Sequence, residues 1–276
     1  MFLTSALFSE DVLTFYKSGG KKLIDSEMGK PSYWASYIMN KDLRFGYFER
    51  AVSLLACSKE KGALELYTPN AQQQFSLKKR YSAFTGKNPG DKNTRGDLRT
   101  PIGVYTFTEK KKNVDPFYGP MAFVTSYPNL YDRIRGKDGD GIWVHGVPSN
   151  GTRDPFTKGC IAINNNDLIQ LDQTINPYNT VLIIDTSIKQ SVSPSAYSSI
   201  LSALFQWKYA WTYNDLDDYL SFYDPTFTRY DGMNFERFKT YKARIFHNDE
   251  EKNITFCNFS ILPYPGEKKN LYWVAL

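Results

Sequence analysis

An α+β fold is predicted for this chain of 276 residues, and three features of its order predict it. Helix-type spacing opens the chain, short strand patterns with glycine-bearing turns fill its middle, and a long aromatic helix followed by strand-like runs closes it. Helices gathered at the two ends of a strand-rich stretch, not alternating with the strands, are the mark of that class. The expected division is 1–50 as a helical arm, 51–188 as a mainly-β domain of sandwich or barrel type, 189–195 as a linker, and 196–276 as a second α+β module.

The arm rests on spacing. Between Glu10 and about Leu55, apolar residues such as Leu43, Tyr47, Ala51 and Leu54 recur at intervals of three and four, as on one helix face. Gly19-Gly20 and Lys30-Pro31 interrupt it. Packing is the plain role for such an arm, and a homodimer contact is the alternative. Met1–Phe8 is apolar and short, without a charged leader or cleavage signature, so it reads as the remnant of a trimmed export signal or as a helix start.

In the middle, strands are predicted over Ser53–Ser58, Ala63–Tyr67, Arg80–Thr85, Gly103–Phe107, Ala122–Ser126, Gly141–Val144 and Thr180–Ile184, most bounded by Gly, Pro, Asn or Asp. Asn88–Asp91 and Lys137–Gly141 read as loops. Asn165–Leu171 reads as a helix capped by Asn165 or Asn166. Lys189–Ser195 is serine-rich and serves as the linker. Beyond it, Ala196–Tyr223 predicts a long helix with a break near Asn214, carrying Phe205, Trp207, Tyr209, Trp211 and Tyr213. A short helix over Asn234–Lys242 and strands over Ile254–Ile261 and Leu271–Ala275 complete the module. The final YWVAL reads as a strand without a terminating turn, so the natural chain is expected to run on.

Composition removes several function classes. The net charge of +5 comes from 34 Lys and Arg against 29 Asp and Glu, spread thinly apart from short runs at Lys78–Arg80 and Lys110–Lys112. Nucleic-acid binders concentrate such charge on one face, so no nucleic acid is expected as a partner; a mild positive field suits an anionic polymer such as a cell wall. No run approaches the roughly 20 apolar residues of a membrane span. Cys57, Cys160 and Cys257 stand far apart, which rules out a disulfide framework and a four-thiolate zinc site; one pair could bridge, leaving a free thiol. With only His145 and His247 present, multi-histidine metal sites are excluded as well. No phosphate-binding loop, dinucleotide fingerprint or serine-nucleophile elbow occurs.

One stretch carries chemistry: Ile142–Asn164, IWVHGVPSNGTRDPFTKGCIAIN. A strand ends at His145-Gly146, a polar loop follows, and a turn at Lys158-Gly159 presents Cys160 before an apolar run returns to the core. A free thiol is only about 3% thiolate at pH 7. A base within hydrogen-bond reach raises the reactive fraction and later protonates a leaving amine. Two neighbouring strand ends can bring His145 and Cys160 that close. Gly159 permits a sharp turn in which nearby amides point at a developing oxyanion, and Gly146 is expected to leave room for substrate. No Asp or Asn is evidently placed to orient His145, and a backbone carbonyl is the other means. Lys158 is either a surface charge or a group that lowers the thiol pKa or binds a carboxylate. Trp143 and Tyr131 are candidates to flank the cleft. Arg133 and Arg135 read as a solvated flap, Cys57 and Cys257 as core thiols, and His247 as a solvated residue.

These motifs resemble the L,D-transpeptidase catalytic domain, also called the YkuD domain. His145-Gly146 and Thr157-Lys158-Gly159-Cys160, whose cysteine stands fifteen positions after the histidine, match its histidine-glycine and Ser/Thr-x-Gly-Cys elements. Upstream, Gly90–Arg99 and Thr100-Pro101-Ile102-Gly103-Val104-Tyr105 match its strand entry, so the resemblance runs from about Leu54 to Asp185, roughly half the chain. Lys158 and Ala162 depart from the His or Arg, and Arg or Asn, common there, which puts the acyl acceptor in question. The C-terminal module, with its aromatic helix and Tyr219–Asp224-Pro225 leading to Phe227, resembles the nuclear transport factor two-like (SnoaL-like) cone fold. That pairing resembles the L,D-carboxypeptidases that set helical cell shape in curved Gram-negative bacteria.

The resemblance implies Cys160 as nucleophile, His145 as base, amides about Gly159 as oxyanion donors, and Gly146, Lys158, Thr157, Trp143 and Tyr131 around the substrate. It also implies peptidoglycan stem peptides as partners, no cofactor and no metal, and export to the periplasm. The expected product is a tripeptide stem from a tetrapeptide. The alternatives are a transpeptidase using the same acyl-enzyme and a non-catalytic wall-binding scaffold. The aromatic helix is read as core, with an amphipathic pocket in the cone as the alternative.

Overall fold

The computed structural model describes residues 19–148, 154–189, 193–248, 250–266 and 270–276. Expectations for Met1–Phe8, for the start of the arm and for the middle of the linker fall outside these residues. The chain forms two compact units. One joins the described residues up to Asn40 with Ser193–Phe256, and the other joins Lys41–Val192 with Cys257–Leu276.

The helical unit begins with α1 (Lys21–Met28) and α2 (Pro31–Ile38), divided where the sequence places Lys30-Pro31. Proline suits the first helical position because its missing N–H has no partner there to lose. Within this unit Trp34 of α2 packs on Phe205, centroids 4.8 Å apart. Asp25 of α1 is buried in a 2.7 Å ion pair with Lys208 and accepts the Tyr213 hydroxyl at 3.0 Å.

The second unit is built on a barrel. In chain order its strands are β1 (Tyr47–Phe48), β2 (Ser53–Ser58), β3 (Ala63–Pro69), β4 (Phe75–Phe84), β5 (Gly103–Lys111), β6 (Ala122–Thr125), β7 (Trp143–His145), β8 (Ile161–Ile163) and β9 (Thr180–Asp185). Among the described residues, eight of them close in the order β2-β3-β4-β8-β7-β6-β5-β9. The β2–β9 and β7–β8 pairs are parallel and the rest antiparallel. A short helix α3 (Leu130–Ile134) joins β6 to β7, and α4 (Asn165–Thr174) follows β8.

Strand β2 explains an expectation the structure overturns. Leu55 and Cys57 enter one apolar core while Leu54 and Ala56 enter another, so both faces of the strand are dry. Strand β9 divides likewise, Leu182 and Ile184 against Val181 and Ile183. Burial on both faces erases the two-residue alternation that marks a strand. The three- and four-residue spacing of Leu43, Tyr47, Ala51 and Leu54 is therefore not a helix: Tyr47 and Leu54 lie in β1 and β2.

The rest of the chain returns to both units. Helices α5 (Pro194–Thr212), α6 (Leu216–Ser221) and α7 (Phe235–His247) belong to the helical unit. The expected break falls at Asn214, whose φ is 60°, and Asp215 caps α6 by accepting the Asp218 N–H. Strands β10 (Ser260–Pro263) and β11 (Tyr272–Ala275) form a three-stranded sheet with β1, in the order β1-β10-β11. The predicted strand from Ile254 begins only at Ser260, and Cys257, expected in a core, is exposed. Among the described residues no helix is long and apolar enough to cross a membrane.

Candidate active site

Parallel pairing of β7 and β8 sets Val144 opposite Ile161 and His145 opposite Ala162. Alternate residues of a strand share a face, so the residue two before Ala162, Cys160, belongs to the side that His145 occupies. Both line one cleft of about 340 Å³. Its remaining walls are Phe117, Tyr118, Asp154, Phe156, Thr157 and Lys158.

The thiol is half-buried and held by main chain. Its Sγ lies 3.3 Å from the Gly141 carbonyl, to which it donates, and 3.4 Å from the Trp143 N–H, from which it accepts. The turn before it is locked by Thr157, whose hydroxyl donates to the Cys160 carbonyl at 2.6 Å and accepts the Gly159 N–H at 3.0 Å. Gly159 has φ of +140°, and a Cβ there would lie 2.8 Å from the Arg99 carbonyl. Only glycine fits. The Gly159 amide, expected as an oxyanion donor, is thus taken by the Thr157 hydroxyl.

His145 is 1% exposed, and its Nδ1 lies 2.7 Å from the Gly146 carbonyl. A carbonyl only accepts, so Nδ1 carries the proton and Nε2 is the ring's basic nitrogen. Of the two means of orienting the imidazole, this is the backbone carbonyl. Tyr118 stands edge-on to the ring, with centroids 5.0 Å apart and planes at 88°.

Gly146 does not leave room for substrate. A Cβ there would meet Asn165 Oδ1 at 2.1 Å and the Gly119 Cα at 3.2 Å, so its smallness lets two backbones and a side chain meet behind the histidine. Asn165 fastens that junction, accepting the Val147 N–H at 2.8 Å and donating to the Val147 carbonyl at 2.9 Å. The cap of α4 is Asn164, which accepts the Asn166 N–H, and neither of the two expected asparagines fills that role.

The other expected residues separate. Thr157 and Lys158 line the cleft, Thr157 buried and Lys158 exposed. Trp143 reaches the sulfur through its backbone N–H, and its ring packs on Tyr118 at 5.0 Å without lining the cleft. Tyr131 is not in the cleft wall: its ring packs on Tyr264 at 4.9 Å, with Arg135 over it at 5.4 Å. Ala162 is fully buried and also does not reach the cleft. The aromatic walls Phe117, Tyr118 and Phe156 were not anticipated. The first two sit on a single 3₁₀ turn, Pro116–Tyr118, capped by Asp115, and an Asp-Pro pair was the only local signal for it.

The strand-entry motif does not line the cleft but braces the segment that carries Thr157. Thr100, fully buried, accepts the Gly86 N–H at 2.8 Å through its hydroxyl, and Gly86 bridges to Thr157. The loop before it is pinned by Asp97. Desolvation pushes that carboxyl up, but the Lys92 ammonium and the N–H groups of Asn93, Arg99 and Thr94 outweigh it and hold the pKa at about 2. Lys137, also buried, bridges Asp91 at 2.6 Å and Asp132 at 2.9 Å. Cys57 is the opposite case: burial pushes its thiol up to about 12.

Comparison with known proteins gives two family matches. Residues 58–184 match the L,D-transpeptidase catalytic domain (YkuD), and residues 199–276 match the Cds6 C-terminal NTF2-like domain. The helical cell shape determining protein Pgp2 of Campylobacter jejuni superposes with a TM-score of 0.79 at 35% identity, covering 90% of this chain and 93% of that one. A point variant of it gives 0.81 at 37% identity, covering 90% and 87%. Bd1075 of Bdellovibrio bacteriovorus gives 0.61 at 26% identity, covering 81% of each. YafK of Escherichia coli (strain K12), whose name places it among L,D-transpeptidases, is 26% identical over 136 residues, 49% of this chain. The chain spans about half of that relative, 51%.

Proposed function

The chain belongs to the L,D-transpeptidase (YkuD) family, in the form that carries an NTF2-like domain behind the catalytic one, and on that premise we propose that it is a peptidoglycan L,D-carboxypeptidase. It removes the terminal D-Ala from stem tetrapeptides in the periplasm and so contributes to cell shape. The observation that carries this reading is the shared cleft. Cys160 and His145 open into one space, with the imidazole held in the tautomer that leaves Nε2 basic.

The chemistry follows from those two groups. Transfer of the thiol proton to His145 Nε2 leaves a thiolate, whose sulfur attacks the carbonyl carbon of the diaminopimelate residue. The tetrahedral intermediate collapses with cleavage of the C–N bond, and the imidazolium returns its proton to the departing amine of D-Ala. Water, deprotonated by the same nitrogen, then cleaves the thioester to give a tripeptide carboxylate and the thiol. Phe117, Tyr118 and Phe156 shield the intermediate from bulk water. No cofactor enters this sequence.

Incubating the purified protein with tetrapeptide muropeptides tests it. Tripeptide monomers are expected, with a loss of about 10²–10⁴-fold in His145→Ala and a covalent carbapenem adduct on Cys160. New 3-3 cross-linked dimers in place of tripeptides would assign the transpeptidase reaction instead. A cellular role left intact by Cys160→Ala, with neither turnover nor a carbapenem adduct in the unmodified protein, would leave only a wall-binding scaffold.

A further inference from the structure

The loop Lys137–Gly141 and the stretch Gly90–Arg99 enter no step of the acyl transfer, yet together they hold the group that accepts the Cys160 thiol proton. Gly136, just before the loop, and Gly139 and Gly141 within it have φ of 70°, 99° and 65°. A chain so rich in glycine has many other conformations open to it. Asp138 restricts it through its N–H, its carboxylate and its carbonyl. The N–H donates to the Asn93 carbonyl at 3.0 Å, the carboxylate accepts the Arg95 N–H at 2.5 Å, and the carbonyl accepts the Tyr127 hydroxyl at 3.2 Å. Downstream, the Ile142 carbonyl accepts the Thr125 hydroxyl at 2.7 Å. Gly141 is thus fixed from both sides, with its carbonyl 3.3 Å from the sulfur that donates to it. A bond that only the protonated sulfur can make favours the thiol over the thiolate, whereas the Trp143 N–H favours the thiolate. The Arg95–Asp140 pair, exposed at both ends, adds little to the tether.

We propose that Asp138 is a positioning residue for the nucleophile: it fixes the loop whose Gly141 carbonyl keeps Cys160 a neutral, aimed thiol at rest. This rests on the reading in which Cys160 is the nucleophile, and it adds how the sulfur is held before substrate arrives. The thiol must turn its proton from the Gly141 carbonyl to His145 Nε2 before it attacks. Until then it is less open to oxidation than a thiolate would be. The Gly90–Arg99 stretch gains a task as well, because Asn93 and Arg95, in a turn held by Asp97, are the anchors of Asp138.

Alkylation of Cys160 by iodoacetamide across a range of pH, read by mass spectrometry, provides the test. Asp138→Ala frees the loop, and the midpoint of the profile should fall by about 0.5–1 in pH, the worth of one hydrogen bond. Labelling at pH 7 should then be about three- to tenfold faster. Asp138→Asn keeps an oxygen for the Arg95 N–H and should retain the original midpoint, which separates the hydrogen bond from the carboxylate's charge. Tyr127→Phe removes only the hydroxyl and should move the midpoint the same way by less. The described titratable groups that share the cleft with the sulfur, Tyr118, His145, Asp154 and Lys158, stay in place in each variant, as do Arg95 and Asp140 beside the loop. Buried Cys57 should remain unlabelled wherever the fold is intact; if Asp138→Ala fails that check, Tyr127→Phe decides. A midpoint unmoved or raised in the deciding variant, or lowered equally in Asp138→Asn, overturns the proposal. Turnover of tetrapeptide muropeptides separates the two readings. A lowered midpoint in a protein that releases no tripeptide sinks the carboxypeptidase and keeps the positioning role. Tripeptide release with an unmoved midpoint sinks the positioning role and keeps the carboxypeptidase.

Discussion

Two cysteines of one barrel show how position decides the chemistry of a side chain. Cys57 lies within β2, paired by β3 on one side and β9 on the other, and is fully buried. With no water to solvate a thiolate, its pKa rises to about 12, and at neutral pH it is an inert apolar group. Cys160 stands one residue before β8, half-exposed, where the main chain offers it an N–H and a carbonyl and the cleft gives it access. The strand interior shuts one sulfur away from solvent and the strand end opens the other to the cleft. The same logic places His145 at the last residue of β7.

The largest expected effect contrasts the two thiols directly. Cys160→Ala should lower tripeptide formation about 10³-fold or more with little change in melting temperature. Cys57→Ala should keep the activity and cost about 1 kcal/mol of stability, read from urea denaturation. Equal loss of activity in both would break the comparison. Next is Gly159→Ala, which forces a Cβ against the Arg99 carbonyl at a φ suited to glycine. Strain of about 1–3 kcal/mol is expected, together with loss of carbapenem labelling, because the turn that presents the thiol must shift. Asn165→Ala should be milder. It strips partners from both polar groups of Val147 and should lower kcat about tenfold, on the order of 1.4 kcal/mol, with KM little changed.

The smallest effect is on the loop behind the site. Asp97 titrates near 2 in the folded protein against an ordinary 3.8, so its contribution to stability is complete above about pH 4 and is lost as the pH falls toward 2. Asp97→Asn should be destabilised by about 1–2 kcal/mol at neutral pH. Its deficit relative to the unmodified protein should shrink on acidification through that window, as thermal melts at several pH values would register.

The motifs were legible because their signals are local. Thr157, Gly159 and Cys160 announce a turn in four residues, and Ser53–Ser58 and Thr180–Ile184 are bounded apolar runs that fold as read. What failed depended on partners distant in sequence. The face of Leu43, Tyr47 and Leu54 looked helical because two cores cover β2 from both sides. Gly146 looked like substrate space because its neighbours, Gly119 and Asn165, come from other segments. Asn165 looked like a cap, and only the fold shows it reaching Val147. Tyr131 and Trp143 do not line the cleft, while two of its aromatic walls, Phe117 and Tyr118, come from a turn upstream of both and the third, Phe156, from the segment just before Cys160.

The strand pairing of β1 with β10 has a consequence for how the molecule is made. The Phe259 N–H donates to the Glu49 carboxylate across 210 positions, and Leu262 completes the core that also holds Phe48, Val52 and Leu54. Closing so long a loop is entropically costly and slow. A chain interrupted during synthesis before residue 257 would carry every barrel strand and still present a wet apolar flank. Proteolytic nicking or premature termination in that stretch should therefore yield aggregation and not a smaller working enzyme.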